Sequence, residues 1–235
     1  MKKLLLCLTI FIFVQNFAQF AKIVDKDGSV NVRNAANVKS KIVGKIKTGE
    51  IVYIFNKGDD YGNWLIVDYK EPNGNLLTGY IYQSRIKRIS SYEEIPSTVT
   101  NENGVEFILR DIHAKIKSEK FNYQSHKKYF TKTKYGGVEI EDKYKKQQIW
   151  GTDGTIPTTH YTSISVEIAK QKIEVPEREI ENLFNINNDN ANCYYDIETK
   201  TLYISAMNSD GAGTYEVLFI LKNGAYVGRK IYNSD

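Results

Sequence analysis

Cysteine, histidine and carboxylate side chains are the first places to look for chemistry in this chain of 235 residues. A nucleophilic cysteine needs a nearby base and surroundings that lower its pKa. Cys193 has neither in its sequence context: Asn192-Cys193-Tyr194-Tyr195 opens a strand, and His113, His126 and His160 all precede it. It is expected as a buried, inert thiol, the usual fate of a free cysteine. The histidines are too scattered for zinc, whose ligand pairs stand about 2 to 5 residues apart, so neither a metal nor a cofactor is expected. Two loops are better placed to hold chemistry, Trp150-Gly151-Thr152-Asp153-Gly154 and Asn208-Ser209-Asp210-Gly211-Ala212-Gly213. Such loops can bring carboxylates and backbone N–H groups to one rim, which makes Asp153 and Asp210 candidates for a second site. Tight strand connections have the same composition, and that plainer reading is preferred. A hydrolase built on this chain would draw on Asp153, His160, Asp210 or Glu216. Lys127-Lys128, Lys132, Lys134, Lys143 and Lys145-Lys146 interleave with Tyr129, Phe130, Tyr135 and Tyr144. That pattern suits an anionic polymer, but it equally describes a solvated strand face guarded by lysines.

The elements that must carry these residues are mostly strands. Lys2-Lys3 followed by the apolar run from Leu4 to Val14 and by Ala18 reads as a secretory signal peptide over residues 1–18, with Gln19 as the new N-terminus. Cys7 lies inside that run rather than at its end, which argues against lipidation. Loss of Lys2 and Lys3 lowers the formal net charge of +4 by two, leaving no electrostatic case for nucleic acid. The roughly 215 remaining residues suit two small domains. Over residues 22–89, Val30 and Val32 alternate with polar neighbours, Ile42 to Ile46, Ile51 to Phe55 and Trp64 to Val67 follow, and Gly79-Tyr80-Ile81-Tyr82 closes the set. Short strands with frequent turns, including the Asn73-Gly74 hairpin tip, describe a small barrel. Residues 90–104 read as a polar linker. Residues 105–235 read as an antiparallel β domain with one packed helix that starts at Pro176 and buries Ile180, Leu183 and Phe184. The fold class expected is mainly β.

The first module resembles a bacterial SH3-type domain. The resemblance rests on the V-x-V-R strand at Val30 to Arg33, the G-x-x-V-x-I strand at Gly49 to Ile54, the W-x-x-V strand at Trp64 to Val67 and the G-Y-I strand at Gly79 to Ile81. Asn34-Ala35-Ala36 stands where the family usually carries a proline, and residues 70–78 are longer than the turn expected there. Such barrels recognise ligands through aromatic side chains on one rim, which implies Tyr61, Tyr80 and Tyr82 here, with Trp64 expected to plug the barrel interior. Tyrosine and tryptophan join a large apolar face to a polar handle, which suits peptides and sugars. Arg33 is a candidate for a ligand carboxylate, or for a structural bond to its own loop. The W-G-T-D-G and N-S-D-G-A-G segments of the second half resemble small exported bacterial proteins of no assigned activity, which supplies no function.

The function expected is that of an exported, non-catalytic binding protein of the cell envelope, periplasmic or secreted, whose barrel docks to peptidoglycan peptide or to an envelope protein. No transmembrane anchor and no nucleic-acid partner are expected. The alternatives are a periplasmic inhibitor or immunity-type protein that occludes another protein and, behind it, a cell-wall hydrolase.

Overall fold

Val30 and Val32 point into a core that takes residues from seven strands of one antiparallel sheet. In chain order these are β1 (Gln19–Ile23), β2 (Ser29–Arg33), β3 (Ile42–Lys47), β4 (Ile51–Phe55), β5 (Trp64–Lys70), β6 (Leu76–Tyr82) and β7 (Ile86–Arg88). Their order across the sheet is β3-β2-β6-β5-β4-β1-β7. Ala21, Ile23, Val30, Val32, Ile46, Val52, Ile54, Val67 and Ile81 all meet on one face, so the sheet curls around them into a small barrel. Its first strand begins at Gln19, ahead of the boundary expected at 22, and pairs with β4 and β7. This computed structural model describes residues 19–55 and 61–233; the expected leader and Lys57-Gly58-Asp59-Asp60, whose Gly and Asp predict a turn, lie outside them.

Residues 90–104 are not a linker. Glu93–Ile95 is β8, Ser97–Asn101 is β9, and each joins a different sheet of the second half. One sheet contains β9, β10 (Gly104–Leu109), β11 (Ile112–Lys120), β15 (Thr159–Ile168) and β16 (Gln171–Glu174). The other contains β8, β17 (Ala191–Asp196), β18 (Thr201–Asn208), β19 (Tyr215–Lys222) and β20 (Ala225–Asn233). Phe107, Ala114, Ile116, Ile164 and Val166 of the first face Cys193, Ile204, Val217 and Phe219 of the second across one apolar core. The result is a sandwich, and Pro96 is the corner where the chain passes between its layers. Asn223-Gly224 closes the hairpin between β19 and β20, with both residues at the positive φ values of 52° and 77° that a two-residue turn requires.

The helix expected from Pro176 is a 3-10 turn, Glu177–Glu179. Ile180, Leu183 and Phe184 are buried all the same, because the segment lies across the end of the sandwich and bridges Trp150 and His160. Among the described residues the one α-helical turn is α1 (Tyr123–His126), capped by the Asn122 side chain. It leads into a small sheet of β12 (Phe130–Tyr135), β13 (Val138–Tyr144) and β14 (Gln147–Gln148). Among the described residues no helix is long and apolar enough to cross a membrane.

The two halves share a third core. Phe20, Ile51 and Tyr53 leave the barrel on the face opposite its interior and pack with Ile89 against Tyr203 and Leu218 of the sandwich. Tyr53 stacks on Tyr232 with centroids 4.6 Å apart, and the Lys22 ammonium reaches the buried Asp196 carboxylate at 2.9 Å.

Candidate functional site

The strand alternation that sends Val30 and Val32 inward turns Ser29, Asn31 and Arg33 outward, onto a cleft of ≈ 590 Å³. One wall is the loop after β2, carrying Ala36, Asn37 and Val38. That loop is held in shape by its own hydrogen bonds: Arg33 Nη1 donates to the Ser40 carbonyl at 2.7 Å, and Ser40 Oγ donates to the Asn37 carbonyl at 2.7 Å. Arg33 thus takes the structural role at one nitrogen while still lining the cleft. The facing wall is Trp64 and Tyr82, directly opposed on β5 and β6, with ring centroids 5.4 Å apart and planes at 82°. Asn63 Nδ2 donates to Tyr82 Oη at 2.9 Å, fixing the phenol while the residue stays 38% exposed. The end of the cleft is charged. Asp25 and Asp27 come from the turn before β2, and Arg85 from the turn after β6; Arg85 pairs with Asp25 at 3.2 Å.

The approach of β6 to β2 that closes this site depends on Gly79. A Cβ there would stand 2.6 Å from the Arg33 carbonyl oxygen and 2.6 Å from Val32 Cγ1. No larger residue fits without moving backbone, which gives the G-Y-I segment its physical reason.

Of the aromatic residues expected on the rim, Tyr82 lines the cleft and Tyr61 and Tyr80 do not. Those two pair with each other edge to face at 5.1 Å, and their hydrogen bond raises the Tyr80 phenol above its usual range. Trp64 is half-buried on the outer face and contributes to the cleft; the barrel interior is filled by aliphatic residues and Tyr69 instead. Asp25, Asp27, Asn37 and Arg85 were not anticipated. The signal that would have found the first two is the Asp25-Lys26-Asp27-Gly28 turn immediately before the V-x-V-R strand.

In the second half the two Gly- and Asp-rich loops do adjoin: Ser209 Oγ donates to the Gly151 carbonyl at 2.7 Å. Asp153 and Asp210 are both exposed there. Among the described residues no hydrogen bond or ion pair joins any two of Asp153, His160, Asp210 and Glu216. His160 instead meets Glu119 at 3.3 Å, and burial lowers its pKa. Cys193 lies fully inside the sandwich, where burial pushes its thiol up. The basic and aromatic stretch is divided: Phe130 and Tyr144 pack with Phe121 and Phe184 in a small aromatic cluster, and Lys145 is paired with Glu177 and Glu181.

No family model matches the chain, and neither a curated protein nor a solved structure matches it.

Proposed function

We propose that the protein is an exported, non-catalytic binding protein of the cell envelope, and that the cleft on the barrel takes a peptide of the peptidoglycan. The observation that carries this reading is the lining of that cleft. Trp64 and Tyr82 offer apolar faces with polar edges, and Asn31 and Asn37 offer amide donors and acceptors. Arg85 and two aspartates add charges of both signs at one end, and Arg33 adds a positive charge beside the loop after β2. A short peptide with a free carboxylate and a free ammonium answers each of these, and its apolar stems suit the aromatic wall. The size of ≈ 590 Å³ falls within the range of small-ligand sites.

Pull-down on purified sacculi tests the reading. Tyr82→Ala and Trp64→Ala each remove an aromatic anchor, and such truncations cost about 2 kcal/mol or more, roughly a 30-fold loss of affinity. Both variants are expected to bind weakly and to melt close to the parent, because neither side chain belongs to the barrel core. Tyr61→Ala, outside the cleft, is expected to bind as the parent does. Absence of sacculus binding by the intact chain overturns the reading and favours an inhibitor that occludes an envelope protein.

A further inference from the structure

A second cleft, of ≈ 330 Å³, opens where the barrel meets the sandwich. Its floor is the outer face of the sheet that carries β17, β18 and β19, since Tyr215, Val217 and Phe219 of β19 point into the sandwich and Glu216 and Leu218 point away from it. Its other side comes from Gln19 and Phe20 of β1 and from Ile89 and Ser90 after β7. The barrel covers most of that sheet face with apolar side chains but leaves this part uncovered.

Glu216 is the group that needs explaining. It is 9% exposed and lines the cleft. Among the described residues its carboxylate has neither an ion-pair nor a hydrogen-bond partner. Its oxygens open onto the cleft rather than into the core, and a carboxylate so largely withdrawn from water with no protein counter-ion is costly to ionise. Burial alone lifts its pKa to about 8, which is the response of a carboxyl that lacks a counter-ion. The rest of the lining is one-sided in charge. Asp189 adds a second acid and no lysine, arginine or histidine lines the cleft, the nearest base being Arg88, which donates to the Gln19 side-chain oxygen at 3.3 Å; the Tyr53 phenol lies near enough to Glu216 to feel its charge, and Asn190, Asn192 and Ser205 supply polar groups. Phe20 and Tyr194 add aromatic rings, whose faces attract cations.

We propose that this cleft is a second ligand site, specific for a primary ammonium group on a molecule of about amino-acid size, with Glu216 as the counter-ion. The volume stands at the lower end of small-ligand sites, which sets the size. Two sources can supply that chemistry. One is a free amine. The other is the chain itself, because processing between Ala18 and Gln19 would create an α-amino group on a residue of the cleft lining.

Calorimetric titration with 1,5-diaminopentane, run on the unprocessed and the exported chain, tests the proposal and separates the sources. The amine is expected to bind while 1-pentanol and glutarate do not. Glu216→Gln should weaken amine binding at least tenfold, and should fold, since it removes a charge that burial disfavours. Trp64→Ala in the other cleft should leave amine binding unchanged, so that failure here and failure of the wall-binding reading are distinguishable. Binding should also weaken as pH falls below about 8, approaching tenfold per unit as the carboxyl takes up its proton. A chain that supplies its own ammonium would bind the amine only before processing, and its α-amino pKa would then fall on Glu216→Gln. The proposal is overturned when neither form binds the amine, or when Glu216→Gln binds it as well as the parent does.

Discussion

Leu218→Ala decides whether the barrel and the sandwich are one folding unit. Leu218 is fully buried, and its neighbours Phe20, Ile51, Tyr53 and Ile89 come from the first half of the chain while Tyr203 comes from the second. Truncating a buried leucine costs about 2–5 kcal/mol, more where the walls of the new cavity cannot collapse. Here part of the wall is aromatic and interlocked: Tyr53 stacks on Tyr232 at 4.6 Å and meets Phe20 edge to face at 5.3 Å. A loss of about 3–4 kcal/mol is therefore expected. For a protein of this size each kcal/mol moves Tm by about 2–4 °C, which gives a fall of about 6–16 °C. The two tryptophans supply separate reporters, since Trp64 lies on the barrel and Trp150 packs against the sandwich core. Trp150→Phe leaves fluorescence that follows the barrel, and Trp64→Phe leaves fluorescence that follows the sandwich. Coincidence of the two transitions is the test of one cooperative unit. Both reporters are expected to give one transition, and Leu218→Ala should lower both by the same amount within each background. Two separate transitions in the parent, or a Trp64 transition that Leu218→Ala leaves in place, would refute the shared core.

Gly79→Ala should destabilise the barrel by about 1–3 kcal/mol, the cost of overpacking, because its methyl group meets the Arg33 carbonyl oxygen at 2.6 Å; a thermal melt equal to the parent's would argue against the close approach of β6 to β2. Lys22→Met breaks the link to Asp196 across the interface and should cost about 1.5–3 kcal/mol at pH 7. Burial pushes the Asp196 carboxyl up, but the Thr199 hydroxyl and the Lys22 ammonium outweigh it and hold the pKa below the usual value. A depressed carboxyl contributes stability above its unfolded pKa of about 3.9 and loses it as pH falls through the lower folded value. Urea melts from neutral pH into that acid window should show the parent losing more stability than Lys22→Met, and parallel curves would contradict the pairing.

How much of this molecule was legible in its sequence turns on which strands are buried on one face and which on two. The alternation of Val30 and Val32 named an inward face and, by implication, the outward Asn31 and Arg33 of the cleft. The runs Ile51-Val52-Tyr53-Ile54 and Val217-Leu218-Phe219 carried a different message, since continuous apolar strands are those covered on both sides. Each faces its own core on one side and the shared interface on the other, so the union of the two halves was written where the sequence departs from alternation. The segment from Glu93 to Asn101 misled for the opposite reason. β8 and β9 are the outermost strands of their sheets, β9 is exposed at every residue, and edge strands carry the polar composition of linkers. At Pro176 the spacing of Ile180, Leu183 and Phe184 satisfied a helix, yet the structure divides that stripe, giving Ile180 and Leu183 to the sandwich core and Phe184 to the aromatic cluster. A helical period records only that one side of a segment is buried, and an irregular loop laid across the end of a sandwich meets that condition equally well. Glu216 was visible as a carboxylate among apolar neighbours, but its isolation belongs to tertiary structure: it depends on which sheet face the barrel covers, and no local pattern specifies that.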